Sequence, residues 1–128
     1  MRVLLDTNVL LRSAARSAQL SVDARELIED VDNDVYFSAA SIWEIAIKSA
    51  LRRADFRIDV AVLRASMPVR GFSELPVSAD HATAVSRLPM IHRDPFDRLL
   101  VAQSIIEPMI LLTLDETLRA YGSTVRVV

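Results

Sequence analysis

Val3-Leu4-Leu5-Asp6-Thr7-Asn8-Val9-Leu10-Leu11 is the stretch that decides how the chain is read. Three apolar residues, too few for a helix, run into a carboxylate, and an apolar helical pattern resumes at once. This reads as a short strand over 3–5 buried on both faces, closing at Asp6, and then a helix through Asn8 and Leu11. The same alternation recurs outward from it. Ser21 is a good N-cap for a helix carrying Ala24, Leu27 and Ile28. A second strand is expected over 35–37. A helix over 38–52 places Ile42, Ile45, Ala46 and Ser49 on one face and Trp43, Ile47 and Ala50 on another, which predicts burial on two sides. A helix over 59–66 is expected to stop at Pro68, and a short strand to follow over 72–75. Ser78 should cap a helix reaching Leu88, and Pro95 should open one that ends before Pro108. A strand over 109–112, a short helix from Glu116 to Gly122 and a closing strand over 125–128 complete the pattern. The expected fold is α/β: one domain over 1–128, with a central parallel sheet of four to five strands flanked by helices.

Composition narrows the chemistry. The 128 residues are 52% apolar, enough for a real core, and contain no cysteine. Thiol catalysis, disulfides and cysteine zinc sites are therefore excluded. The two glycines, Gly71 and Gly122, are too far apart for a glycine-rich phosphate loop. His81 and His92 have no metal-ligand spacing. The apolar runs are too short to span a membrane, and Asp6 interrupts the first one too early for a signal peptide, so a soluble, cytoplasmic protein is expected. Fifteen Lys+Arg against seventeen Asp+Glu give a net charge of −2, without the basic field of a duplex binder. Lys48 is the only lysine.

In an open parallel sheet, chemistry gathers beyond the carboxyl ends of the strands. Asp6 and Asp115 stand at two such ends, while Glu44 and Asp97 lie on helices that would flank them. Each has an ordinary structural explanation. Asp6 and Asp115 could cap the helices that follow, Asp97 could complement a helix dipole, and Glu44 could complete a capping box with Ser41 or pair with Lys48. Together they point elsewhere. A carboxylate inside an apolar helix needs a partner or a metal, and several converging carboxylates suit a hard cation, Mg²⁺ or Mn²⁺. Such a site could activate water for in-line displacement at a phosphodiester.

Three blocks carry a resemblance: Leu4-Leu5-Asp6-Thr7-Asn8-Val9-Leu10-Leu11, Ser38-Ala39-Ala40-Ser41-Ile42-Trp43-Glu44-Ile45-Ala46-Ile47-Lys48, and His92-Arg93-Asp94-Pro95-Phe96-Asp97-Arg98-Leu99-Leu100-Val101-Ala102-Gln103. In order and over the whole chain, they resemble the PIN-domain ribonucleases, and more closely the VapC-type toxins of bacterial toxin–antitoxin pairs. The last block is the most specific. Leu112-Thr113-Leu114-Asp115 is similar as well. The chain departs from the usual family pattern at Asn8, Val9 and Arg12, none of them an acid. The resemblance implies a PIN-like fold and a Mg²⁺-dependent endoribonuclease, with Mn²⁺ as the alternative ion. It implies that Asp6, Glu44, Asp97 and Asp115 form the catalytic metal site, Asp6 and Asp97 ligating directly and Asp115 acting through water. It also implies an RNA substrate, a VapB-like cognate antitoxin, and a homodimer that forms hetero-oligomers with it.

Neighbouring residues have smaller expected roles. Asp94, just before a proline, should cap its helix rather than bind metal. Arg93 and Arg98 flank that turn and suit substrate phosphates, or pairing with the surplus carboxylates. Thr7, Asn8 and Thr113 adjoin the acids and would orient them, or simply cap. Lys48 is expected to partner Glu44. Trp43 is expected in the core, His92 as a plain loop histidine, and His81 on a helix without a partner. The alternative function is a non-catalytic PIN-fold or receiver-like regulatory module. A receiver needs a lysine at a strand end, whereas Lys48 falls inside a helix. A haloacid-dehalogenase-like phosphatase needs DxD after the first strand, where this chain has Asp6-Thr7-Asn8.

Overall fold

The fold is that of a computed structural model, and the structure describes residues 1–51 and 58–128. Five parallel strands form one sheet: β1 (Arg2–Leu5), β2 (Asp34–Ser38), β3 (Ser73–Leu75), β4 (Ile110–Thr113) and β5 (Val125–Val127), in the order β3-β2-β1-β4-β5. Central β1 pairs Leu5 with Phe37 on one side and with Leu112 on the other. Val3, Leu4 and Leu5 are fully buried, as their uninterrupted apolar run requires. Successive residues face opposite layers. Val3 and Leu5 join a core with Val9, Leu10, Phe37, Ile45 and Met67, whereas Leu4 joins Leu100, Val101, Leu111 and Leu118 on the other face.

The helices are α1 (Thr7–Ala14), α2 (Val22–Glu29), α3 (Ala39–Ala50), α4 (Val60–Val69), α5 (Ala79–Val85) and α6 (Pro95–Ile106), with a 3₁₀ turn over Glu116–Tyr121. The chain builds β2 and β3 on one side of β1 and then crosses to place β4 and β5 on the other. That reversal falls between β1 and β4, at whose carboxyl ends parallel sheets place their ligands. No helix among the described residues is long and apolar enough to cross a membrane.

Several expectations are corrected. α4 does not stop short of Pro68 but runs one residue past it to Val69, the proline forgoing a single main-chain hydrogen bond at the helix end. What ends it is Gly71, at φ +83°, with Gly71 N–H donating to Pro68 O and Phe72 N–H to Met67 O, a Schellman closure. α5 ends at Val85 rather than Leu88, since Ser86, Arg87 and Leu88 each bond three residues back and tighten the chain into a turn. α3 buries one side only, through Ala40, Ser41, Glu44 and Ile45, while Trp43 and Ile47 are exposed. The end of the 38–52 helix at Arg52 lies outside the described residues.

Candidate active site

Asp6 ends β1 and is 4% exposed. Its Oδ1 accepts from the N–H groups of Asn8 and Val9 at 2.8 and 3.2 Å, capping α1, and its Oδ2 accepts from the Thr113 hydroxyl at 2.6 Å. Burial raises its carboxyl pKa, the three hydrogen bonds oppose the shift, and the charge on Glu44 adds to it. Thr113, the last residue of β4, also accepts from Asp115 N–H at 3.1 Å, so one hydroxyl ties the first acid to the last. Glu44 is buried on the inner face of α3. Its Oε1 accepts from the Thr7 hydroxyl at 2.7 Å, and Oε2 meets Lys48 Nζ at 2.7 Å. The i,i+4 pair with Lys48 therefore forms. The capping box with Ser41 does not, because Ser38 is the N-cap of α3 and Glu44 sits too far along the helix.

Asp97 stands in the first turn of α6, and its carboxyl is pushed up to about 7. Burial is the main cause, followed by the charges of Asp94 and Asp6; His92 opposes the shift and Glu44 adds slightly to it. Asp94 caps α6 with Oδ1, accepting from Phe96 N–H at 2.8 Å and Asp97 N–H at 3.3 Å, as its place before Pro95 predicted. Asp115 caps the 3₁₀ turn. Its Oδ1 accepts from the N–H and hydroxyl of Thr117, chiefly the hydroxyl, which together with His92 hold its carboxyl below the usual range. Capping therefore uses only one oxygen of each acid: at Asp6 and Asp115, Oδ1 serves the helix end, while Oδ2 meets Thr113 and His92 respectively.

His92, expected as a plain loop histidine, instead meets two of the acids. Its Nε2 lies 2.9 Å from Asp115 Oδ2 and 3.6 Å from Asp97 Oδ2. His92, Asp97 and Asp115 each offer a ligand-type atom, all within 4.8 Å of one another, a spacing that can hold a metal ion. As oriented, His92 Nδ1 accepts from Asp94 N–H at 3.1 Å. In the neutral ring the proton then sits on Nε2, which faces the carboxylates as a donor. His92 thus acts here as a hydrogen-bond partner, and the acids beside it offer oxygen atoms of the kind a hard divalent cation prefers. The signal available in the sequence was the position of His92, two residues before Asp94 in the most specific block.

Other side chains divide clearly. Arg98 is buried and turned away from phosphate contact: it donates to Val85 O, Pro89 O and the Tyr121 hydroxyl at 3.0–3.1 Å. Its guanidinium is engaged by these three acceptors, none of them a carboxylate. Tyr121 in turn accepts from His92 N–H at 3.0 Å, fixing the loop before α6. Arg93 is exposed beside this turn, and the Asn8 side chain is exposed as well. His81 is not unpartnered: it completes a capping box with Ser78, and its Nε2 meets Glu107. Trp43, expected in the core, is 62% exposed and packs edge-to-face on Phe96.

The PIN domain family model matches residues 3–123, and the chain belongs to that family. PIN domains are typically nucleases that use divalent metals. The fold is similar to a chain in a crystal structure of VapBC2 from Rickettsia felis bound to a promoter DNA fragment (TM-score 0.70, 12% identity, 100% of this chain and 98% of that one). It is similar to a chain of FitAcB from Neisseria gonorrhoeae (0.65, 20%, 96% and 95%). A third is VapBC-5 from Mycobacterium tuberculosis, of the VapBC family of toxin–antitoxin systems (0.61, 23%, 99% and 97%). No curated protein matches the sequence.

Proposed function

We propose that the protein is a Mg²⁺-dependent endoribonuclease and the toxin of a toxin–antitoxin pair, leaving a 5′-phosphate and a 3′-hydroxyl. The observation that carries this reading is the convergence of acids from four separate segments at the carboxyl ends of β1 and β4. There Asp97 senses the charges of Asp94, Asp6 and Glu44 with only His92 in opposition. Like charge gathered in this way fits a divalent cation held by Asp6 and Asp97, with Glu44 and Asp115 in support. Such a cation, Mg²⁺ or Mn²⁺, would supply positive charge to the attacking water and to the phosphodiester undergoing in-line displacement.

The chain's own contribution is placement. Thr113 orients Asp6 and the backbone of Asp115, Thr7 orients Glu44, and the Asp94 cap fixes the start of α6, which carries Asp97. Asn8 contributes its N–H to Asp6, with its side chain free to meet substrate. Arg93 is suited by exposure and charge to a substrate phosphate. Arg98 is left out of substrate contact. Partners follow from the family resemblance and from the VapBC and FitAcB likenesses: a VapB-like antitoxin covering the acidic site, and a second copy of the chain.

Purified protein with Mg²⁺ or Mn²⁺ should cleave a structured RNA, and EDTA should stop it. Expression alone should arrest growth, and co-expression of the neighbouring antitoxin gene should relieve the arrest. RNA binding without metal-dependent cleavage would instead favour a non-catalytic PIN module.

A further inference from the structure

Trp43 carries the largest side chain among the exposed apolar residues. It directly precedes Glu44 on α3, while Phe96, on which it packs, directly precedes Asp97 on α6. The ring centroids are 5.2 Å apart at an interplanar angle of 73°. An edge-to-face contact of this kind braces the indole from one side and leaves the rest of its surface to solvent. Leaving an indole in water forgoes hydrophobic stabilisation. Burying α3 does not require it, since Ala40, Ser41, Glu44 and Ile45 already form the inner face. The aromatic pair therefore forms a braced apolar ledge one residue along the chain from both Glu44 and Asp97.

We propose that Trp43, braced by Phe96, is a stacking platform for a nucleobase of single-stranded RNA next to the phosphate held at the acids. The inference rests on the nuclease reading and adds a substrate-positioning residue to it. Adjacent nucleotides in a strand place bases within one side chain's reach of the phosphate, and an aromatic face accepts any base without reading its edge. A sheet of negative charge cannot hold RNA by itself. A braced ring supplies attraction that does not depend on charge, and Phe96 limits the rotamer freedom the ring would otherwise lose on binding. The occupant is a base rather than an aliphatic partner because each ring precedes in the chain a carboxylate, Glu44 or Asp97, suited to a metal–phosphate unit.

Trp43 is the only tryptophan in the chain, so its fluorescence reports on this site alone. With Mg²⁺ present, the protein is titrated with a 2′-O-methyl phosphorothioate uridine octamer, and with the same octamer lacking bases at its four central positions. Binding is followed separately by anisotropy. The octamer with bases should quench Trp43 emission and the abasic one should not, though both carry equal charge. Trp43→Ala should weaken binding of the octamer by about tenfold or more, and should raise KM for RNA cleavage far more than it lowers kcat. Trp43→Phe should restore most of the loss. Octamer binding with unchanged emission, or equal binding by Trp43→Ala, overturns the platform while leaving the nuclease intact. A change in emission on raising protein concentration alone, with no response to the octamer, assigns the ring to a second copy and also overturns it. No octamer binding to wild type by anisotropy overturns the nuclease reading itself.

Discussion

The two oxygens of Asp6 serve different ends, and that division makes a clean test possible. In Asp6→Asn the amide oxygen still accepts from Asn8 and Val9, because asparagine caps helices as well as aspartate. The Thr113 hydroxyl can reverse to accept from the new amide. The fold should therefore persist, with a melting temperature in EDTA equal to or above wild type, since a buried carboxylate has been removed. Metal-dependent RNA cleavage should disappear, because the amide cannot supply the ligand charge. A cleavage assay at saturating Mg²⁺ alongside a thermal melt checks both halves, and near-full activity would remove Asp6 from the ligand set. The two arginines of the same turn separate in the opposite way. Arg98→Lys offers one ammonium where two carbonyls and the Tyr121 hydroxyl are now served, leaving buried acceptors unpaired at about 1–3 kcal/mol. Its melting temperature should fall clearly, and that of Arg93→Ala should not change. Equal melts for the two variants would contradict the structural role of Arg98.

Among the elements, α4 shows how a helix end is set by a residue beyond it. Gly71 closes the helix in the left-handed region at φ +83°, and a Cβ added there would meet nothing within 4 Å. The cost of Gly71→Ala is thus conformational, about 1 kcal/mol, or roughly 3–6 °C in melting temperature for a domain of this size. Activity per folded molecule should be unchanged, since the glycine lies away from the acids. A melt equal to wild type would mean the closure contributes nothing. Pro95 and the Asp94 cap fix the start of α6 where the sequence predicted, because a rigid φ and a side-chain acceptor are local properties. The exposed outer face of α3 was not legible in this way. Its apolar pattern runs nearly all round the helix, and pattern alone cannot say that only one side meets neighbours.

For the molecule as a whole, the acidic site makes metal-free stability depend on pH. The Asp97 carboxyl has its folded value near 7 against 3.8 when free, and Asp6 is shifted the same way. Between these values the folded state holds more protons than the unfolded state, so stability falls as pH rises. The contribution is complete below about pH 4 and lost by about pH 7. Asp115, shifted down, acts in the opposite sense, and only below its free value of 3.8. In EDTA the melting temperature should therefore drop between pH 5 and pH 8 on account of Asp97 and Asp6. Excess Mg²⁺ favours the ionised carboxylates and should flatten or reverse that slope, adding about 2.7 kcal/mol at a hundredfold excess over its dissociation constant. Asp97→Asn should melt above wild type in EDTA at pH 8, by roughly 3–6 °C for ~1 kcal/mol of relieved repulsion, a modest figure because the carboxyl still reaches solvent. The difference should shrink toward pH 5, and the variant should lose most of the Mg²⁺ response. A lower melt with the Mg²⁺ response retained would reduce Asp97 to a helix-dipole complement.

The sequence by itself determined the alternation of strands and helices, the capping residues and the candidate acids, because these depend on hydrogen bonds and φ preferences spanning a few residues. Asp6 stood out because a buried strand ended on it, and Glu44 because a carboxylate interrupted an apolar helix. Only the tertiary structure decided the order β3-β2-β1-β4-β5, the inward turn of Arg98, the exposure of Trp43 and the meeting of His92 with Asp115. The contacts concerned join residues far apart in the chain: His92 and Asp115 are separated by 23 positions, and Thr113 and Asp6 by 107. No local propensity encodes them. They arise when the sheet closes around β1 and brings the ends of distant segments to one site, where burial and the charges of neighbours set what each acid can do.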